Sequence, residues 1–188
     1  MGKWMFNSTA LDGMSLIIPM VAEDQRGYFS KVFEKKLFAE NGIELSPYEE
    51  LLSCSKKGTV RGLHFQRRYS QDKLVRVLSG AVFDVAVDLR KDSPTFGKWQ
   101  GFYLTAENRE MLYIPKGFAH GFLALEDNTL FSYLCGDRYD PESDGGIRWD
   151  DPEIGVEWPL DRVEDVIISD KDRALPSFAE LRKEFGGF

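Results

Sequence analysis

Two histidines, His64 and His120, are the only imidazoles in the 188-residue chain. An imidazole is the side chain best suited to take up and return protons near neutral pH, so their surroundings come first. His64 lies in Gly-Thr-Val-Arg-Gly-Leu-His-Phe-Gln, residues 58–66, and His120 in Tyr-Ile-Pro-Lys-Gly-Phe-Ala-His-Gly-Phe, residues 113–122. As a strand, the first stretch sets His64 on one face with Gly62 and Gln66, and Arg61, Leu63 and Phe65 on the other. Gly62 would leave open space beside the imidazole, as a ligand pocket needs. A histidine packed and hydrogen-bonded inside a barrel explains the same residues, and without site geometry that plainer reading is favoured. Tyr133 ends an apolar run and Tyr139 lies in the loop after it; both read as ordinary amphipathic aromatics unless a site uses a phenol, of pKa about 10, as proton donor. The acidic loop 137–144 and the turn Ile168-Ser169-Asp170-Lys171-Asp172 read as solvated surface. A metal centre is not expected: the sequence has no His-x-His, and two distant histidines with carboxylates are a poor ligand inventory.

Strands must position these groups. Residues 81–89 alternate, with Phe83, Val85, Val87 and Leu89 on one face and Val82, Asp84, Ala86 and Asp88 on the other. Further strands are expected at 58–66, 73–78, 99–104, 111–114, 121–125 and 129–134, separated by turn-rich pieces such as Lys91-Asp92-Ser93-Pro94. Short strands at this interval mean an all-β sandwich or barrel. Helices are expected at 32–41, ending in Asn41-Gly42, and at 178–184, where Ser177 and Glu180 form a capping box. Both dock on the β core.

With no linker, repeat or low-complexity tract, residues 1–188 read as one domain. The 24 Lys and Arg against 31 Asp and Glu give a net charge of −7, which argues against nucleic acid as partner. Hydrophobic residues make up 43% and aromatic residues 13%, the composition of a globular protein with a full core. The longest apolar stretch, 14–22, is broken by Pro19 and is too short to span a membrane; no signal peptide is read. Cys54 and Cys135 could pair only once, and a reduced, cytoplasmic setting is the expectation.

The Pro-x-Gly-x-x-His run at residues 115–120 resembles the second motif of the cupin superfamily. A longer ordered series resembles the dTDP-4-dehydrorhamnose 3,5-epimerase family over about residues 24–174. It comprises Arg26-Gly27-Tyr28-Phe29, Arg61-Gly62-Leu63-His64-Phe65-Gln66, Lys73-Leu74-Val75-Arg76, Val82 through Arg90, Asp92 through Gly97, Ile114 through Phe122, Tyr133 through Tyr139, Ile147-Arg148-Trp149 and Ser169-Asp170-Lys171-Asp172. The resemblance implies a cupin-type jelly-roll β-barrel with a few short peripheral helices, a homodimer, and a nucleotide-linked 4-keto-6-deoxyhexose as substrate, with no cofactor and no metal. It implies epimerisation at C3 and C5, where a C4 ketone makes both neighbouring hydrogens acidic.

By the same resemblance His64 is the base and Asp172 the carboxylate that orients it, with Asp170 as rival. Tyr133 is the acid on the opposite face and Lys73 stabilises the enolate. Arg26, Arg61, Lys73, His120, Tyr139, Asp144 and Lys171 bind the substrate, Tyr139 by stacking on the base and Arg26 in its own or the partner's site. Three places depart from the family: Tyr48-Glu49-Glu50-Leu51-Leu52 stands where Gln-Asp-Asn-His is common, Lys31 where Glu is common, and Arg138 where an aromatic is frequent. These leave open epimerisation at one carbon only, or another nucleotide. A metal-dependent cupin and a non-catalytic sugar-nucleotide binding module are the readings from other classes.

Overall fold

Alternating apolar residues on a short strand require a covered surface on each side they face, and the computed structural model of the chain, which describes residues 3–185, supplies two facing sheets. In chain order the elements are β1 (Met5–Ser8), β2 (Ser15–Ile18), β3 (Met20–Asp24), β4 (Gly27–Lys31), α1 (Lys35–Glu40), β5 (Glu49–Ser55), β6 (Val60–Gln66), β7 (Lys73–Ser79), β8 (Ala81–Asp88), β9 (Trp99–Thr105), β10 (Met111–Ile114), β11 (Phe118–Ala124), β12 (Thr129–Cys135), β13 (Asp144–Gly146), α2 (Asp170–Arg173) and α3 (Phe178–Phe185). One sheet has the order β1-β2-β10-β7-β12-β5 and the other β13-β6-β11-β8-β9, while β3 and β4 form a separate hairpin. The strand pairs within all three are antiparallel. This is the all-β jelly-roll architecture expected from the sequence.

Strand β8 shows how the layers are built. All eight of its residues are buried. Val82 and Ala86 face the space between the sheets with Val75, Leu112, Phe122 and Phe131. Phe83, Val85 and Val87 face outward, where Ile147, Ile154 and the α3 residues Phe178 and Leu181 cover them. On the far side, Phe38 of α1 joins Ile17, Leu74 and Met111 in a third cluster. The capping box at α3 forms: Ser177 N–H donates to Glu180 Oε2 at 2.8 Å, and Glu180 N–H donates to Ser177 Oγ at 3.3 Å. α1 is shorter than expected, because its N-cap Glu34 is extended and offers no side-chain cap; Val32 and Phe33 pack from an extended lead-in instead. The turn at residues 168–172 contains a helical turn, α2, with Ser169 Oγ accepting from Asp172 N–H.

Asp88, at the end of β8, is completely buried as a charged group. It accepts from Arg90 Nε (2.9 Å) and Nη2 (2.7 Å), Ser93 Oγ (2.5 Å) and Thr95 Oγ1 (2.7 Å). Burial opposes its charge, but those donors hold its carboxyl below the usual carboxylate range. Asp88→Asn is therefore expected to cost about 3 kcal/mol, since it leaves Arg90 without its counter-charge, read as a lowered urea midpoint. A depressed folded pKa contributes stability that is complete above the unfolded value and lost as pH falls through the folded one. The variant's stability should accordingly vary less than the wild type's below the ordinary Asp range. Equal urea midpoints would refute this account.

Candidate active site

Between the sheets lies a cavity of about 840 Å³, within the range that takes small-molecule ligands. Its lining is built from β5, β6, β7, β12, the loop leading into β13, and the C-terminal segment around α2.

Strict alternation would separate Arg61 from His64. The pairing of β6 with β11 removes that conflict: His120 pairs with His64 and Phe122 with Arg61, so β6 carries one residue more than its partner. This bulge resets the alternation, and Arg61 and His64 both line the cavity. Gly62 sits at the bulge, and the expectation of open space there is corrected. A Cβ on Gly62 would lie 2.6 Å from Gly121 Cα and 2.7 Å from His120 O. The glycine is needed for close approach of two backbones, and its φ of +118° is one that side chains disfavour.

His64 Nε2 is 2.7 Å from Asp172 Oδ1. Asp172 is buried and also accepts from Gly62 N–H through Oδ2 at 3.3 Å. Burial penalises this carboxylate, yet the His64 contact and the Gly62 and Ser169 hydrogen bonds hold it below the usual range. An ionised Asp172 fixes the proton on Nε2 and leaves Nδ1 with its lone pair. Asp170, the rival partner, is exposed, and among the described residues the carboxylate bonded to His64 is Asp172's.

Tyr133 faces this pair from the other sheet, on β12. Burial raises its pKa, so the phenol keeps its proton at neutral pH. Lys73, paired with Cys135 across β7 and β12, lines the same cavity. Burial lowers the pKa of its ammonium, with Cys135, Asp144 and Asp84 opposing that effect. Towards the mouth, Arg61 Nε donates to Ser55 Oγ at 3.1 Å. Asp144 Oδ2 accepts from Tyr139 Oη at 3.0 Å and Lys171 Nζ at 2.5 Å. Lys56, Arg61, Lys73 and Lys171 thus gather positive charge around one cavity of an acidic chain, an arrangement that favours an anionic ligand.

Two residues expected in the binding site are not in this lining. His120 is 4% exposed and is held behind Tyr133 by a 2.8 Å contact of Nε2 with Asp84 Oδ1. Arg26 lies at the tip of the β3–β4 hairpin, exposed and bonded to Asp24. Conversely Ser53, Gln71, Cys135 and Ile168 line the cavity without having been singled out. Cys135 could have been found by alternation, since it stands two residues beyond Tyr133 on the same face of β12. Among the described residues, no three His, Cys, Asp or Glu side chains cluster as a metal would require.

The family model described as dTDP-4-dehydrorhamnose 3,5-epimerase matches residues 8–180. A curated protein of that description from Methanothermobacter thermautotrophicus is 53% identical over 173 residues, covering 92% of this chain and 94% of its own. Among solved structures, the epimerase from Legionella pneumophila in complex with dTDP-4-keto-L-rhamnose superposes with a TM-score of 0.92 at 43% identity, covering 97% of this chain and 96% of the other. A 3'-monoepimerase from Streptomyces bikiniensis in complex with dTDP-quinovose is also similar, with a TM-score of 0.87 at 30% identity over 96% of this chain and 90% of the other.

Proposed function

The chain belongs to the dTDP-4-dehydrorhamnose 3,5-epimerase family, and from that premise we propose that His64, Asp172, Tyr133 and Lys73 carry out the 3,5-epimerisation of dTDP-4-dehydro-6-deoxy-D-glucose. The observation that carries this assignment is the placement of an oriented base and a protonated phenol on facing sheets of one cavity, with a buried lysine between the same walls. The C4 ketone acidifies the hydrogens on C3 and C5. His64 Nδ1 takes one of them, and Asp172 stabilises the imidazolium that forms. The electron pair left behind moves onto the C4 oxygen, where the Lys73 ammonium stabilises the enolate. Tyr133 then gives its proton to the carbon from the opposite face, and the base and acid are reset by solvent exchange. The chemistry consumes no oxidant and requires no cofactor.

Arg61 and Lys171 suit the diphosphate, Arg through its fork of donors. Tyr139 offers its face to the nucleobase, with Asp144 as a polar contact beside it. Homodimerisation is supported by the β3–β4 hairpin, which pairs with neither sheet and exposes Tyr28 and Phe29. On this reading the hairpin carries Arg26 into the partner's cavity. The two free cysteines support a reducing compartment such as the cytoplasm, and no helix among the described residues is long and apolar enough to cross a membrane.

Incubation with substrate in deuterated buffer, read by NMR, tests the assignment. Label at both C3 and C5 with formation of the L-configured product is expected. The likeness to a 3'-monoepimerase and the Glu49-Glu50-Leu51 departure favour, as second reading, epimerisation at one carbon; label at one carbon alone would establish it and remove the double epimerase. The same assay across dTDP-, UDP-, GDP- and CDP-linked 4-ketosugars reads the nucleotide preference.

A further inference from the structure

The loop that joins β12 to β13, residues 136–143, carries Tyr139 and contains neither helix nor strand. Main-chain bonds hold its two ends: Gly136 N–H donates to Asp72 O at 2.9 Å, and Arg67 N–H donates to Ser143 O at 3.1 Å. Its middle is held by a side chain from another element. Gln66 ends β6 and is 5% exposed. Its Nε2 donates to Tyr69 O at 2.8 Å and to Arg138 O at 2.9 Å, while its Oε1 accepts from Asp140 N–H at 2.7 Å. One amide thus bonds both the residue before Tyr139 and the residue after it.

Both N–H donors of the amide and one of its acceptor sites are used, and two of the three bonds bracket a single position. Tyr139 occupies that position and is 50% exposed, so burial of its own ring does not hold it. Its hydroxyl is fixed separately, by donation to Asp144 Oδ2 at 3.0 Å, and Asp144 is the cross-strand partner of Gln66 on β13. Backbone and ring tip are thereby tied to the same end of β6, the strand that carries His64. Packing alone does not call for this arrangement. A methionine would fill much the same volume, but it would leave three main-chain groups without these partners. A loop that must be ordered when a ligand arrives weakens binding by the cost of ordering it, whereas one ordered beforehand does not.

We propose that Gln66 is a positioning residue for nucleotide recognition: its amide clamps the backbone on both sides of Tyr139 and so holds the aromatic ring ready for a nucleobase before substrate arrives. This inference rests on the reading of Tyr139 as the surface that takes the base, and deepens it.

The test compares, by titration calorimetry, the binding of dTDP with that of inorganic pyrophosphate, which has the phosphates but no base. Gln66→Met is expected to raise the Kd for dTDP about tenfold and to leave that for pyrophosphate unchanged. In a Tyr139→Ala background the same substitution is expected to add no further loss, because the residue it positions is gone. Equal weakening of both ligands, which a general loosening of the protein would give, overturns the proposal. So does an additive loss in the double variant, or an unchanged dTDP affinity in Gln66→Met. Failure of the underlying reading looks different: Tyr139→Ala alone would then bind dTDP as tightly as the wild type, which removes the base-binding role of Tyr139 and the proposal with it. Should Gln66→Met not fold, amide hydrogen exchange of the ligand-free wild type, read by NMR, decides. The Asp140 N–H is expected to be protected before any ligand is added; exchange at the rate of an unstructured peptide until dTDP is added overturns the proposal.

Discussion

Tyr133→Phe is expected to produce an enzyme that still exchanges substrate hydrogen with solvent but forms inverted product about 10²- to 10⁴-fold more slowly. His64 and Tyr133 stand on different sheets, so a carbon held between them can lose its proton to one wall and regain one from the other. Without the phenol, the enolate is reprotonated by the same imidazolium that formed it. His64 exchanges its proton with deuterated solvent between the two events, so label enters with retention of configuration. His64→Ala should lose exchange and inversion together, while a circular-dichroism spectrum shows the fold intact. Inversion at the wild-type rate in Tyr133→Phe would remove Tyr133 from the acid role. Loss of exchange in that variant, with the fold preserved, would mean that the tyrosine and not His64 breaks the C–H bond.

Gly62→Ala carries the largest expected effect on stability. The new Cβ would meet backbone atoms of Gly121 and His120 at 2.6 and 2.7 Å, and neither neighbour can rotate away as a side-chain tip could. Added to the unfavourable φ, this should cost about 3–5 kcal/mol. Gly27→Ala is the matched control: its φ is +113° but no atom lies within 4 Å of the added carbon, so only the backbone penalty of about 1–2 kcal/mol remains. The difference between the two in urea unfolding isolates the steric part. Because Gly62 is bonded through its N–H to Asp172 and stands between Arg61 and His64, whatever Gly62→Ala protein folds should also exchange poorly. Equal unfolding midpoints for the two variants would show that β6 and β11 can move apart at no cost.

The legible parts of the fold were those whose order repeats over several residues. The runs at β7, β10 and β12 are rich in apolar residues and that at β8 alternates, because one or both of their faces are covered. β1 to β5 are short or polar, and several of their residues face solvent; hydrogen bonding to remote partners, such as β5 to β12, makes them strands. β13 is Asp-Gly-Gly, which has no pattern to read. For the site, residue types singled out His64, but the convergence of His64, Tyr133, Lys73 and Asp172 came from family resemblance, since they are contributed by elements up to 108 positions apart. A bulge shifts parity without changing composition, which is why the relation of Arg61 to His64 could not be solved by alternation. The binding role of His120 came from the family resemblance; in the structure it lies behind Tyr133 and its partner is Asp84, a carboxylate inside a strand that alternation could place in the core without saying what it bonds. Ser169 through Asp172 did carry a helix-start signal, serine followed three residues later by an acid; its short length hid it.

The distance along the chain between His64 and Asp172 also sets a time order for the protein's birth. A nascent chain that has left the ribosome as far as β12 contains His64, Lys73 and Tyr133, yet lacks the Asp172 carboxylate that holds the His64 imidazole in one tautomer. On the proposed assignment, competence would arrive only when Ser169 caps the turn that delivers Asp172 to His64 Nε2 and to the Gly62 amide. Premature termination anywhere before residue 172 should therefore leave fragments without an oriented base, so a cell translating damaged message accumulates no weakly active epimerase from them.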